Sequence, residues 1–231
     1  MASRRIFIAF ALAGLSGACK PSLLDYESRY HTVRPGETLY TIAWRYGLDY
    51  RDLARWNGLS NPDLIRVGQQ IALRPNAAVA AASPPAVSST PTRAPASARP
   101  LPPPADLPAP EWIWPTDGRV VASFGSADGI PSGIAITGTQ GQRIVAAAAG
   151  RVVYVGTGLA GYGQLAIIKH NDTYLTAYGH TENLVINQGQ DVARGQPIGA
   201  MGLGPRRQPR LHFEIRRNGV PIDPLTLLSR R

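Results

Sequence analysis

The 231 residues predict a mainly β protein, with a small βααβ module and a larger all-β domain joined by a disordered Pro/Ala-rich segment. Three observations carry this. Between residues 30 and 74, apolar residues at helical spacing are bracketed by short β-rich runs. Residues 75–110 are dominated by Ala, Pro, Ser and Thr and contain no aromatic side chain. From 111 to 228, β-rich runs alternate with glycine and asparagine turns, the pattern of an all-β domain.

The N-terminus fixes the compartment in which these parts are read. Arg4 and Arg5 precede an apolar stretch over 6–15, and the small residues Ser16, Gly17 and Ala18 follow. This is a charged start, a core too short to span a membrane, and a cleavage zone. Residues 1–18 are therefore expected to be a signal peptide, and the protein to be exported. The net charge of +9, from 24 Lys+Arg against 15 Asp+Glu, favours anionic partners. For an exported chain these are wall carboxylates and anionic lipid, and no nucleic-acid role is expected. Cys19 is the only cysteine, so no internal disulfide is possible. Leu-Ser-Gly-Ala before Cys19 resembles a bacterial lipobox, with Ser16 where Leu is usual and Leu15 one position further out. That resemblance implies lipidation at Cys19 and a lipidated segment over 19–29. Lys20, in place of the Asp of inner-membrane lipoproteins, implies an outer-membrane lipoprotein facing the periplasm.

In the first module, Val33 to Glu37 reads as a short strand and turn. Leu39, Ile42, Ala43 and Tyr46 then fall on one helical face. Gly47 is placed to stop that helix. Asp49 is placed to cap a second, with Asp52 three residues on as in a capping box. Gly58 ends it, and Gln70-Ile71-Ala72-Leu73 returns as a strand. Tyr30-His31-Thr32-Val33-Arg34-Pro35-Gly36-Glu37-Thr38-Leu39, Trp56-Asn57-Gly58-Leu59 and Val67-Gly68-Gln69 resemble a LysM module over 30–74. The resemblance implies binding of N-acetylglucosamine-containing glycan strands of peptidoglycan. The loops that would do this hold Gly36, Thr38 and Leu39, with Asn61, Pro62 and Ile65.

Residues 75–110 lack the apolar surface needed to fold. A Pro-rich tether of this length would extend on the order of 100 Å at ~3.1 Å per residue. Such a tether would let one end of the protein stay at the membrane while the other searches the wall.

In the last domain, Arg151 to Val155 and Gln164 to His170 are β-rich runs. Asn171-Asp172 leads into a hairpin partner over Thr173 to Tyr178, and Asn218-Gly219 is a tight hairpin turn. Phe124-Gly125, Gly161-Tyr162-Gly163, Tyr178-Gly179-His180 and Leu211-His212-Phe213-Glu214 resemble a LytM (lysostaphin-type) metallopeptidase domain over 111–228. That family's hydrolases hold zinc with His and Asp of an H-x-G-[IV]-D stretch and the second His of H-x-H-F-E. Here the first stretch is Pro131-Ser132-Gly133-Ile134-Ala135 and the second begins Arg210-Leu211-His212. Pro131 and Ala135 stand at ligand positions, His212 remains, and Arg210 replaces a catalytic histidine. Three protein ligands are the usual minimum for catalytic zinc, so no cofactor and no catalytic residue are expected. A new three-histidine site from His170, His180 and His212 is the competing reading, and the Arg210 guanidinium beside His212 opposes a second cation.

With the lipobox and LysM, the architecture resembles the NlpD-type lipoproteins. Their degenerate LytM domains activate N-acetylmuramoyl-L-alanine amidases during daughter-cell separation. The resemblance implies a non-catalytic activator whose groove binds a periplasmic amidase. The groove residues expected are Tyr154, Tyr162, Tyr178, His180, Arg210 and His212. Arg206, Arg207, Arg216 and Arg217 would extend it as a basic lip suited to carboxylates. An active zinc metalloendopeptidase cutting peptide crosslinks, and a purely structural tie between wall and membrane, are the alternatives.

Overall fold

The computed structural model describes residues 29–75, 106–127 and 130–230. The expected signal peptide, the lipidated segment with Cys19, and residues 76–105 of the expected tether lie outside the described residues.

The first module is β1 (Tyr30–Thr32), α1 (Leu39–Tyr46), α2 (Tyr50–Trp56) and β2 (Gln70–Ala72). The two strands pair antiparallel, Tyr30 opposite Ala72. The first strand thus lies before the expected Val33 start, and 33–37 is turn, closed by Glu37 N–H to the Arg34 carbonyl at 3.2 Å. The capping box belongs to α1, where Thr38 and Thr41 exchange bonds of 3.1 and 2.9 Å. Asp49 does cap α2, accepting from Arg51 N–H at 2.8 Å, while Asp52 pairs with Arg55 instead of closing a box. Gly47 ends α1 at φ 64, the left-handed conformation that glycine adopts without a steric penalty. Asn57 stitches α2 to β2, donating to the Ala72 carbonyl at 3.0 Å and accepting from Ala72 N–H at 2.7 Å.

The second domain holds β3 (Val120–Ala122), β4 (Ile134–Thr137), β5 (Arg143–Val145), β6 (Gly150–Gly156), β7 (Gln164–Lys169) and β8 (Tyr174–Glu182). It continues through β9 (Asp191–Val192), β10 (Pro197–Met201), β11 (Arg210–Arg217) and β12 (Val220–Ile222). The main sheet runs β3-β4-β11-β8-β7-β6-β9; β10 pairs with β5 and β8, and β12 pairs with β11. Every pairing is antiparallel.

Successive strand residues point to opposite faces, and the two faces have different covers. Ala166 and Ile168 of β7, Tyr178 of β8, and Leu211, Phe213 and Ile215 of β11 face the domain's own core, with Ile144 and Ile198. Leu165 and Ile167, Leu175 and Ala177, and Val153 of β6 point the other way, into a cluster shared with Tyr40, Ile42, Trp44 and Tyr50 of the first module. The LysM-like helices are therefore the missing layer of the sheet. Burial of that face between the modules stabilises the docking by an upper estimate on the order of 10 kcal/mol.

Polar bonds run along the seam. Trp44 Nε1 donates to the Tyr162 hydroxyl at 3.2 Å, Arg216 donates to the Trp44 carbonyl at 3.0 Å, and Tyr50 donates to Asp172 at 3.0 Å. Arg51 reaches Asn218 at 2.6 Å. At Gly219 (φ 77) a Cβ would strike the backbone of Leu48 and Asp49, so the β11–β12 turn and the α1–α2 turn touch main chain to main chain. These contacts correct the expectation of a tether that sets the reach between the modules. The tether joins two bodies that are already packed together. Its last residues, 106–110, lie on the second domain: Asp106 pairs with Arg217 and accepts from Asn218, and Leu107 N–H donates to Thr173 at 2.8 Å.

Candidate functional site

Strand β11 sets out the site. Its period of two puts Arg210, His212, Glu214 and Arg216 on the face away from the core. Glu214 is fully buried and sits at the centre of a polar network. It accepts from His212 Nε2 at 2.9 Å, from the Tyr162 hydroxyl at 2.7 Å, from Arg216 Nε at 3.1 Å and from the Ser132 hydroxyl. Burial alone would push its carboxyl up, but His212, Arg216 and Ser132 together hold it below the usual carboxylate range. Arg216 is roofed by Trp44, its guanidinium carbon 3.6 Å from the indole centroid.

At the other end of the strand, Arg210 lies half-buried beside His180, donates to Gln208 at 2.7 Å and lines a cleft open to solvent. A Cβ at Gly204 would meet the Arg210 side chain at 2.6 Å and the His180 ring at 3.2 Å, so this glycine makes room for both. The His180 and His212 ring centroids are 6.4 Å apart. His180 is pushed down to about 4 by burial, then by His212 and Arg210, and is uncharged at neutral pH. A cleft of about 540 Å³ runs past Arg210 and is lined also by Val121, Ile130, Arg206 and Gln208. Arg206 and Arg207 stand at φ 57 and 54, a left-handed backbone unusual for two consecutive side-chain-bearing residues.

The residues present do not fit a catalytic zinc. Pro131 and Ala135 carry no donor atom, and Ala135 is paired opposite His212 in the β4–β11 ladder. The Nε2 of His212 is engaged by Glu214. Among the described residues no group of three His, Cys, Asp or Glu could hold a metal ion. The three-histidine alternative fails on geometry as well. His170 lies at the far edge of the domain, bonded to the Ala149 carbonyl at 2.7 Å and to Thr176 at 2.8 Å, with Trp112 against its ring.

Several expected groove residues belong elsewhere. Tyr178 is fully buried on the core face, packed on Phe213, and its hydroxyl accepts from Ala147 N–H at 2.8 Å. The strand period turns it away from the groove. Tyr154 is buried between the modules, its hydroxyl accepting from Gly158 N–H at 2.7 Å. His212 forms the floor rather than the surface, 2% exposed and edge-on to Tyr162. Arg216 and Arg217 leave the basic lip, one paired inside with Glu214 and one with Asp106 on the outer edge. Tyr162, His180 and Arg210 stay at the site.

In the first module, Leu39 is fully buried and Thr38 is consumed by the helix cap, so neither side chain can touch a glycan. Gly36 is exposed in its turn. Asn61, Pro62 and Ile65 lie in the loop before β2, where Ile65 lines a shallow cleft of about 600 Å³ with Asp63, Leu64 and Gln69. Leu64 is 70% exposed there.

Sequence reasoning missed Glu214, Ser132 and Trp44. Alternation from His212 would have found Glu214. Tyr40 and Trp44, four apart on α1 and off the Leu39–Ile42–Ala43 stripe, form a second apolar stripe that signals a partner surface.

Residues 31–74 match the LysM domain family and residues 129–224 match Peptidase family M23. A protein described as "Lipoprotein NlpD/LppB homolog" from Pseudomonas aeruginosa is 43% identical over 88% of this chain and 78% of its own. The "Uncharacterized lipoprotein YgeR" of Escherichia coli is 39% identical over 96% of this chain and 89% of its own. "Murein hydrolase activator NlpD" of Escherichia coli is 35% identical over 90% of this chain and 69% of its own. With a LysM module docked on an M23-type sheet, and relatives this similar over most of their length, the chain belongs to the NlpD-type LysM/M23 lipoprotein family.

Proposed function

We propose that this protein is a non-catalytic activator of a periplasmic N-acetylmuramoyl-L-alanine amidase. In this reading its LysM module holds peptidoglycan, and lipid on Cys19 holds the outer membrane. The observation that carries the reading is the replaced metal seat. Donor-less Pro131 and Ala135 flank a His212 held by Glu214, and the cation Arg210 stands where a catalytic histidine would. In this reading such a groove offers bidentate recognition of carboxylates in place of bond cleavage. Relatives described as murein hydrolase activators point to the same role. Activation requires that the groove bind the open amidase more tightly than the closed one.

The test is release of labelled fragments from purified peptidoglycan by the full-length protein in detergent, alone and with amidases of the same organism, with and without a zinc chelator. Release is expected only when an amidase is present, and Arg210→Glu should abolish the stimulation while leaving the fold intact. Release by the protein alone, lost on chelation, would instead establish a peptidase. No effect on any amidase would leave a structural wall tie.

A further inference from the structure

The groove does not end at the second domain. Past Tyr162 it enters a cleft of about 600 Å³ at the joint of the two modules. Trp44, Tyr46 and Gly47 at the end of α1 form one wall, and Leu159, Ala160 and Pro221 face them. Ile130 lines both this cleft and the one holding Arg206 and Arg210, so the two adjoin at that side chain.

Their chemistry differs along this path. The joint cleft is walled by aromatic and aliphatic side chains, with the Ser132 and Tyr162 hydroxyls at its base. Among the described residues, every charged side chain lining either cleft is an arginine: Arg45 and Arg216 at the joint, Arg206 and Arg210 at the open end. The neighbouring carboxylates of Glu214 and Glu37 are buried in ion pairs with Arg216 and Arg45. The surface left to an incoming chain is therefore cationic at one end and apolar at the other, which complements an acidic amphipathic segment.

We infer that the partner site is composite, with the LysM helix α1 supplying one wall of a cleft that takes an apolar side chain of an acidic amphipathic segment of the hydrolase, whose carboxylates lie over Arg206 and Arg210. This rests on the proposed activator role and names the site more closely. The glycan-facing loop around Leu64 stays exposed in the docked arrangement, so wall and partner are held at once and at a fixed spacing. The LysM module then does two jobs, and only one of them concerns sugar.

Two substitutions address the cleft from opposite walls. Ala160→Trp fills it from an exposed position of the second domain, and Tyr46→Ala removes part of the α1 wall. The full-length protein in detergent is assayed for binding and stimulation of the purified amidase, for co-sedimentation with peptidoglycan, and for melting temperature. Both variants should weaken amidase binding by roughly tenfold or more, the scale of a central interface contact, with sedimentation unchanged. If Tyr46→Ala lowers the melting temperature, Ala160→Trp alone decides. Wild-type binding by both variants, with Arg210→Glu still defective, would overturn the composite site and leave the activator role standing. A wild-type protein that neither binds nor stimulates any amidase would remove the activator role, and the composite site with it.

Discussion

The two ends of strand β11 carry the same kinds of side chain and do opposite things. At one end Arg216 pairs with buried Glu214 beneath the Trp44 ring. At the other Arg210 meets His180 and a cleft open to solvent. In the sequence these arginines are equivalent, six residues apart on one face. The difference is the roof. Where α1 covers the sheet, a guanidinium has lost its water, and a carboxylate, a hydrogen-bonded carbonyl and an aromatic face offset that loss. Where the sheet is uncovered, half-buried Arg210 donates to Gln208 at 2.7 Å and lines a cleft open to solvent. A charge sealed in an ion pair and a charge lining an open cleft are thus separated by the edge of a neighbouring module.

The largest expected effect falls on the roofed end. Glu214→Gln leaves Arg216 charged without its anion, and removing one member of a buried pair costs about 3–5 kcal/mol, which for a protein of this size lowers the melting temperature by about 10 °C. Arg210→Glu, at a half-buried position, should cost only about 1 kcal/mol. Calorimetry of the two variants checks the contrast. Equal destabilisation would mean that both ends are structural.

Acidification gives an intermediate effect. Burial pushes His170 down to about 4, against the Ala149 bond that raises it, and His180 is held at about 4 as well. Both are lower in the folded chain than the ordinary 6.5, so the unfolded chain takes up protons first. Stability is then fully present above about pH 6.5 and falls as pH drops toward 4. For buried His170 the loss between pH 7 and pH 5 is about 2 kcal/mol. Urea denaturation at the two values should show this, and His170→Asn should remove its share. A fall in stability on raising pH would contradict the assignment. By NMR titration, Arg210→Gln should raise the His180 pKa, because one of the charges depressing it is gone.

The smallest effect is at the open end. Arg207 holds a left-handed backbone at φ 54, so Arg207→Gly should stabilise the protein by about 0.5–1 kcal/mol. It should also weaken amidase stimulation if the basic lip contacts the partner. Stabilisation with full stimulation would place Arg207 outside the contact and leave Arg206 and Arg210 to form it.

The sequence alone determined the periodic elements and the chemistry missing from the metal seat. Helical spacing located α1, and Gly47 and Asp49 marked the break between the helices. Strand runs located β6, β7 and β8, and donor-less residues at 131 and 135 are visible without coordinates. These depend on local backbone preference and on side-chain identity, which a linear reading contains. Which arginine is buried, which tyrosine faces the core, and whether Leu39 can touch a sugar were decided only by tertiary structure. Each depends on which face of a strand or helix is covered, and by what. Here the cover over one sheet face comes from residues more than a hundred positions away, as the Trp44–Tyr162 bond shows. Apolar burial depends on area and is indifferent to sequence distance, so the docking of the two modules, and the composite groove it makes, exists only in three dimensions.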